Sequence, residues 1–154
     1  MIHFTIACVG KLKETYMQAA VADYVKRLSR YAVMNTIEVP ESNDPSSDKR
    51  IEKEGEALLK RIPAQSRIIA LDLHGKEMSS EQLAEYISDQ TVEGCSDFTF
   101  VIGGSDGIAK SITAKADVRL CLSRMTFPHQ LTRLILAEQL YRAMKINNGE
   151  QYHK

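Results

Sequence analysis

The sequence predicts a single-domain α/β protein with a mainly parallel sheet and helices on both faces. Two observations predict this class. Five strand-like apolar runs alternate with five stretches of helical periodicity, the pattern of parallel sheets built from strand–helix–strand units. Of the 154 residues, 44% are hydrophobic and 26% charged, which excludes a disordered chain and a coiled coil. We find no internal repeat and assign residues 1–154 to one domain.

The first third of the chain predicts a strand, a helix and a second strand. Residues 2–9 are rich in β-formers and end at Gly10; they lack the basic start of a signal peptide. Residues 14–31 have the apolar spacing of an amphipathic helix. Its apolar positions are Met17, Val21, Tyr24, Val25, Leu28 and Tyr31. Residues 35–39 form a short predicted strand that Pro40 closes.

The middle of the chain begins with its one linker-like stretch, residues 40–48, which we expect to be a mobile loop. Ser47 or Asp48 can cap the helix that follows. Its apolar face carries Ile51, Gly55, Leu58, Leu59 and Ile62. Residues 67–73 form a strand without polar alternation, which predicts a central strand buried on both faces.

The last third of the chain continues the alternation. Ser79 and Gln82 form a capping-box signature for a helix that uses Leu83, Tyr86 and Ile87. The remaining predicted elements are a strand at 98–102, a short helix at about 107–116, a strand at 118–122 and a last helix from about His129 to Ile146.

Charge and cysteine content narrow the class of protein further. Lys plus Arg and Asp plus Glu are 20 each, and a net charge of 0 gives no global attraction to nucleic acid or anionic membrane. The charge is polarised, because residues 41–56 carry a net −3 and residues 124–154 a net +3. Three cysteines without CxxC spacing argue against disulfides and a zinc site. No apolar stretch reaches membrane length, so we expect a soluble cytoplasmic protein.

Ligands of parallel sheets bind beyond the carboxyl ends of the strands, and three such ends carry polar or glycine-rich sequence. They are residues 71–76, 103–107 and 122–129. The second, GGSDG, is neither GxGxxG nor a P-loop; a tight turn explains it as well as a ligand site does. The third mixes Ser, Arg, Met, Thr and Phe, which suits an amphipathic cofactor, although an ordinary strand–helix connection explains it too.

The last helix and the tail carry further polar groups. Arg133 falls within the apolar stripe of the helix, so it needs an acidic partner or a polar ligand. Glu138 and Arg142 are four residues apart, which by itself indicates a surface salt bridge. Tyr152, His153 and Lys154 could stack on a base, handle a proton and meet a phosphate, or could simply fray.

Seven segments, in order along the whole chain, resemble one family, the large-subunit ribosomal RNA pseudouridine N3-methyltransferases of the SPOUT, or α/β-knot, class. The segments are 9–13 (VGKLK), 53–55 (KEG), 71–76 (LDLHGK), 100–107 (FVIGGSDG), 123–130 (SRMTFPHQ), 138–143 (EQLYRA) and 152–154 (YHK). The resemblance implies a C-terminal deep trefoil knot, an exception to the rule that folds are unknotted.

The resemblance also implies a cofactor and a partner. S-adenosylmethionine would lie bent in the knot, between the three strand ends. The implied cofactor-binding residues are Leu71, Gly103, Leu122, Ser123, Arg124, Met125, Thr126 and Phe127. The family is homodimeric, with the last helix across the dimer axis and the tail of one subunit near the cofactor of the other. No metal is implied.

The implied reaction is methylation of N3 of a pseudouridine in 23S rRNA. His153 is the implied group for the proton, with Tyr152 positioning the base. Arg142 would hold uracil oxygens or a phosphate, as could Arg124, and Glu138 would orient Arg142 or take part in proton removal. Neutral net charge fits a substrate within the assembled 70S ribosome rather than free RNA. No DNA or membrane partner is expected.

Two other functions share this pattern of strands and helices. A nicotinamide- or flavin-dependent Rossmann-type enzyme has the same alternation, but the first strand lacks its phosphate-binding glycines. A ribosome-associated assembly or silencing factor would share size and partner, but would need no cofactor pocket.

Overall fold

The computed structural model describes residues 1–152, in which five strands alternate with five helices. No helix within these residues is long and apolar enough to cross a bilayer. The elements, in chain order, are β1 (Ile2–Val9), α1 (Thr15–Leu28), β2 (Ala32–Val39), α2 (Ser47–Arg61), β3 (Arg67–Glu77), α3 (Ser80–Val92), β4 (Asp97–Ile102), α4 (Lys110–Lys115), β5 (Val118–Cys121) and α5 (His129–Asn147).

The strands form one sheet in the order β2-β1-β4-β3-β5, and every pair in it is parallel. The predicted α/β class and the parallel sheet are therefore confirmed. β3 lies inside the sheet, as expected, and pairs with β4 and β5. Its register against β5 shifts between Leu71 and Lys76, so the chain bulges out of the sheet there. The strand order is compatible with the implied knot, whose threading stays a prediction.

The core has two layers, one on each face of the sheet. The larger layer packs α1, α3 and α5 against the sheet around Phe4, Phe98 and Phe100, each 0% exposed. The smaller layer packs α2 and α4 on the opposite face, through Leu58 and Ile112. Helices thus cover both faces, and the carboxyl ends of all five parallel strands point toward one edge.

Several boundaries differ from the predicted ones because contacts outside each segment decide them. β2 begins at Ala32, since it pairs with β1 from Ile2 onward. α1 ends at Leu28, before Tyr31. The N-cap of α2 is Ser46 and not Ser47 or Asp48: Ser46 has extended backbone, and its side chain accepts a hydrogen bond from the Lys49 amide. The capping box at the start of α3 is confirmed.

Residues 41–46, here named the tethered segment, lie within the predicted mobile loop but are bonded to α2. The Ser42 amide donates to Glu54 Oε2 at 2.9 Å. Asp44 pairs with Lys53 at 2.8 Å, and its carbonyl accepts from Arg50 Nη1 at 2.9 Å. Three side chains of one helix therefore bond this segment, which its composition alone did not predict. Its mobility stays a prediction.

The apolar stripe of α5 is largely covered within one chain. Leu136, Ala137, Leu140 and Ala143 are each 0% exposed, against α1, α3 and the sheet. The resemblance attributes this stripe to packing across a dimer axis, and the structure corrects that explanation for these residues. The edges of the stripe, such as Leu134, are only partly buried.

Candidate functional site

The three strand ends singled out in the sequence meet around one cavity of about 460 Å³ at the carboxyl edge of the sheet. β3 contributes residues 71–74, the turn after β4 contributes 102–108, and β5 with its following loop contributes 120–123 and 125–127. The start of α5 completes the wall with His129 and Thr132. A cavity at this edge is where ligands of parallel sheets bind.

Residues 103–107, here named the glycine turn, need their glycines for steric reasons. A Cβ on Gly103 would lie 2.4 Å from the Gly107 carbonyl oxygen. Gly107 has φ of +116°, which L side chains rarely adopt. The turn folds back on itself through a bond from the Gly107 amide to the Gly104 carbonyl at 3.0 Å. It is thus both a tight turn and one wall of the cavity.

Seven of the eight implied cofactor residues line the cavity. They are Leu71, Gly103, Leu122, Ser123, Met125, Thr126 and Phe127. Arg124 is exposed and is not part of the lining. The predicted strand-end segments 71–76, 103–107 and 122–129 contain His74, Asp106 and His129, and all three line the cavity. None of them was among the implied cofactor-binding residues. Thr132, which also lines the cavity, lies outside the predicted segments.

The walls of the cavity are mostly apolar, with polar groups at a few positions. Leu71, Leu122 and Phe127 supply apolar surface, and the glycine turn brings backbone close to the space. Ser123 Oγ accepts from the Met125 amide at 3.0 Å, which shapes the loop after β5. Volume and lining fit an amphipathic ligand with the size of a nucleoside derivative.

A second group of polar side chains, here named the tail cluster, consists of Glu138, Arg142 and Tyr152. Arg142 donates to Glu138 through Nε at 3.1 Å and through Nη2 at 3.0 Å. The Tyr152 hydroxyl donates to Glu138 Oε2 at 3.1 Å, and its ring lies 4.8 Å from the Arg142 guanidinium carbon. Three of the four implied catalytic residues are therefore in contact. The fourth, His153, lies outside the described residues.

The surroundings fix the protonation of the tail cluster. Burial, followed by the nearby Glu138 carboxylate, raises the pKa of Tyr152 to about 12. The hydrogen bond to Glu138 raises the pKa of Arg142 above its usual value. Near neutral pH the phenol thus donates and the guanidinium is charged. Both Glu138 oxygens accept bonds, Oε1 also from Gln139 at 3.0 Å, an arrangement suited to orienting Arg142.

The residues after α5 are held against the body of the protein. The Tyr31 hydroxyl donates to Glu150 Oε1 at 2.8 Å, and Lys145 pairs with the same carboxylate. The Tyr152 ring packs on Tyr141 with centroids 5.0 Å apart. Tyr31 lies 119 residues from Glu150 in the chain, so sequence spacing did not predict this bond, whereas Lys145 and Glu150 are only five residues apart.

The tail cluster and the cavity are separate regions of a single chain. None of the three cluster residues lines the cavity. At 1.5 Å per residue, Glu138 and Arg142 lie about 9 Å and about 15 Å further along α5 than Thr132. Within residues 1–152, one chain therefore does not join Glu138, Arg142 and Tyr152 to the cavity.

Arg133 has the acidic partner that its position demanded. It is 6% exposed, and its Nη1 bonds to Glu38 Oε2 on β2 at 2.8 Å. Its Nε has no hydrogen-bond partner among residues 1–152. The pair joins α5 to the sheet, and the same charges influence the thiol of Cys8, whose pKa burial raises to about 11.

The class of protein follows from this fold together with the family comparison. The family model described as "Predicted SPOUT methyltransferase" matches residues 2–153. The chain belongs to this family, as the resemblance implied. The Rossmann-type alternative is thereby set aside.

Curated relatives match over their full length. A protein of Carboxydothermus hydrogenoformans named "Ribosomal RNA large subunit methyltransferase H" is 48% identical, over 99% of this chain and 100% of the relative. A protein of Alkaliphilus oremlandii with the same name is also 48% identical over the same shares. A "putative" protein of that name from Methanococcus maripaludis is 47% identical, again over 99% and 100%.

Solved structures share the fold at low identity. TrmJ from Z. mobilis has a TM-score of 0.58 and 14% identity, covering 93% of this chain and 70% of that chain. A probable methylase family protein from Haemophilus influenzae has a TM-score of 0.56 and 11% identity, covering 95% and 66%. At this identity the likeness concerns the fold alone.

Proposed function

We propose that this chain transfers a methyl group from S-adenosylmethionine to N3 of a pseudouridine in 23S rRNA of the assembled ribosome. The observation that carries the proposal is the cavity that three strand-end loops enclose, in a chain of the SPOUT methyltransferase family. Full-length relatives named as large-subunit rRNA methyltransferases support the substrate.

The cavity suits the proposed cofactor. S-adenosylmethionine, when bound, supplies a methyl group on a positively charged sulfur that a nitrogen nucleophile can accept. The apolar walls at Leu71, Leu122 and Phe127 would hold its apolar surfaces. The backbone of the glycine turn would lie against its polar groups, because glycines permit close approach. Ser123, Met125 and Thr126 would complete the holding set, with Arg124 at the outside.

The tail cluster would act on the nucleotide. Tyr152, protonated at neutral pH, would position the base through its ring and hydroxyl. Arg142 would hold uracil oxygens or a phosphate, because a guanidinium offers several donors in fixed geometry. Glu138 would keep Arg142 oriented, since both of its oxygens already accept bonds. His153 is our proposal for the group that handles the N3 proton.

A homodimer would bring the two regions together. The tail cluster lies away from the cavity of its own chain, so a second subunit must supply it if both act on one nucleotide. The surface of α1 supports this arrangement. Only Leu28 of its 14 residues is fully buried, and Met17, Val21 and Val25 on one face are only partly buried. An incompletely covered apolar face of a helix fits a partner of the same kind.

The first experiment is methyl transfer from radiolabelled S-adenosylmethionine to ribosomes from cells that lack the enzyme, followed by nucleoside analysis. We expect N3-methylpseudouridine on 70S particles and little on free rRNA. Cofactor binding without transfer would move the substrate elsewhere. No cofactor binding at all would contradict the proposal and favour a ribosome assembly factor.

The dimer has a test of its own. Arg142→Ala and Gly103→Ala damage different regions, and each homodimer should lose most activity. A mixed dimer would pair one intact cavity with one intact tail cluster, so activity should return to about a quarter to a half of the wild-type level when the subunits exchange. No recovery in a mixture shown to contain heterodimers would contradict a composite site.

A further inference from the structure

One face of α2 is aimed at the glycine turn. Arg50 holds Asp106 of the turn with two bonds, Nε to Oδ2 at 2.9 Å and Nη2 to Oδ1 at 3.1 Å. Four residues on, Glu54 Oε1 lies 2.8 Å from the position of a Cβ on Gly104. A Cβ on Gly55 would lie 2.4 Å from the Ala109 Cβ, just beyond the turn. Arg50 and Glu54, at i and i+4, share a helix face. Gly55 lies beside that face and approaches the residue just after the turn, so α2 forms the seat of the turn.

The contact between Arg50 and Asp106 is the polar part of this seat. It is bidentate, the geometry in which a guanidinium fixes a carboxylate in position and orientation. Both side chains are about three-quarters covered, with 28% and 26% exposure. The pair holds the pKa of Asp106 below its usual range and raises the pKa of Arg50. Asp106 itself lines the cavity, so the Arg50 guanidinium holds part of the cavity wall in place.

Arg50 is in turn held from behind by the tethered segment. Its Nη1 donates to the Asp44 carbonyl at 2.9 Å and to the Pro45 carbonyl at 3.3 Å. Glu54, which is 6% exposed, accepts from the Ser42 amide with one oxygen. Its other oxygen, beside Gly104, has no hydrogen-bond partner among residues 1–152. The tethered segment, α2 and the glycine turn therefore form one connected unit.

We propose that Arg50 is a positioning residue for the cavity: through Asp106 it holds the glycine turn in the geometry that accepts the cofactor. The inference rests on the proposed cofactor role of the cavity. Arg50 touches no ligand. It raises the fraction of molecules in which the glycine turn has the cofactor-binding geometry. When that fraction falls, the apparent affinity for the cofactor falls in proportion.

The test compares cofactor affinity in a double-mutant cycle. Calorimetric titration with S-adenosylmethionine and with S-adenosylhomocysteine is carried out on wild type, Arg50→Gln, Asp106→Asn and the double variant. If the glycine turn without the Arg50–Asp106 contact has the cofactor-binding geometry about a tenth of the time, each single variant binds the cofactor about tenfold more weakly. The double variant should bind no more weakly than either single one, because the two residues act as one contact.

Lys53→Gln is the matched control. Lys53 lies on the same helix, but it pairs with the Asp44 carboxylate at 2.8 Å and not with the Asp44 carbonyl that accepts from Arg50, and its side chain is 61% exposed. We expect its affinity to stay within about twofold of wild type, the small effect of an exposed ion pair. Unfolding free energies of all variants separate loss of affinity from loss of stability.

Hydrogen exchange provides a readout without cofactor. Amides of residues 103–109 should exchange faster in Arg50→Gln than in wild type or Lys53→Gln, because the turn opens more often. Unchanged exchange together with unchanged cofactor affinity in Arg50→Gln overturns the proposal. Losses of affinity in the two single variants that add up in the double variant also overturn it. If wild type binds no cofactor, the proposed function fails. In that case faster exchange in Arg50→Gln still supports positioning of the glycine turn by Arg50, and unchanged exchange overturns the positioning role.

Discussion

Tyr152 and Arg133 each bond to a glutamate carboxylate, but they have different tasks. Tyr152 is a phenol whose pKa burial and Glu138 raise to about 12, so it donates a hydrogen bond throughout the neutral range and does not serve as a base. Arg133 is a buried cation that depends on Glu38 for its charge balance. The first belongs to the proposed chemistry, and the second holds α5 to the sheet.

His153→Ala should lower methyl transfer about 100-fold, the low end of what one proton-transferring group contributes. Cofactor affinity should not change, since the proposed role concerns the nucleotide. Single-turnover transfer to ribosomes and calorimetric titration of the cofactor measure the two quantities. Equal loss of both would contradict the assignment. Tyr152→Phe, which removes one hydroxyl and keeps the ring, should cost less.

Glu38→Gln should lower the free energy of unfolding by about 2 kcal/mol, because it leaves the Arg133 charge buried without a counter-ion. The value is modest since Glu38 is itself partly exposed, at 31%. Urea unfolding measures it. Asp23→Asn breaks a pair with Arg27 whose side chains are about half exposed, and should change stability by less than about 0.5 kcal/mol. Equal effects of both variants would argue against a burial cost.

At the scale of elements, the residues proposed to bind the cofactor lie mostly in the loops that follow strands, and not within helices or strands. The strand-end loops after β3, β4 and β5 enclose the cavity, and α2 seats the glycine turn. Each loop is placed by a strand that pairs on at least one side within the sheet. A rigid sheet thus holds ligand-binding loops in register, which is the general arrangement of function in α/β proteins.

Gly103→Ala should weaken cofactor binding by about five- to 150-fold. The added methyl would meet the Gly107 carbonyl oxygen at 2.4 Å, and forcing a group into packed space costs about 1–3 kcal/mol. Calorimetric titration measures the change. Gly94→Ala is the control: its φ of +98° also disfavours a side chain, with nothing within 4 Å of the new atom. It should cost stability and leave affinity intact, so a similar loss of affinity would contradict the steric explanation.

At the scale of the whole molecule, positive and negative charges are equal in number, and ion pairs between them hold connecting segments against helices. Lys53 lowers the pKa of Asp44 and Arg50 lowers that of Asp106, which ties the tethered segment and the glycine turn to α2. Lys145, with Tyr31, lowers the pKa of Glu150 and so ties down the tail. All three carboxyl groups release their protons more readily folded than unfolded.

Stability should therefore fall in acid. A carboxyl group with a lowered folded pKa contributes fully above its unfolded value, near pH 4, and loses that contribution as the pH falls through the folded pKa. From these groups we expect no change between pH 8 and about pH 6, and a decline below about pH 4. Urea unfolding across this range measures it. Asp44→Asn should decline less steeply than wild type, and identical slopes would contradict the linkage.

Much of the fold could be predicted because the hydrophobic pattern is local. Alternating apolar runs and amphipathic stretches gave the five strands, the five helices and the parallel sheet, and all of these are confirmed. The capping box at Ser79 was equally local. Boundaries were less predictable, since the start of β2 depends on pairing with β1, 30 residues earlier in the chain.

The sequence by itself determined the fold class, the three loops that line the cavity and, through its motifs, the methyltransferase family. Only the tertiary structure decided how charged residues that are far apart in the chain are partnered. Glu38 joins Arg133 across 95 residues, and Arg50 joins Asp106 across 56. The bonds of the tethered segment to α2 were likewise not predicted by its composition. The physical reason is that periodicity reports which face of an element is buried, whereas an ion pair depends on which elements meet.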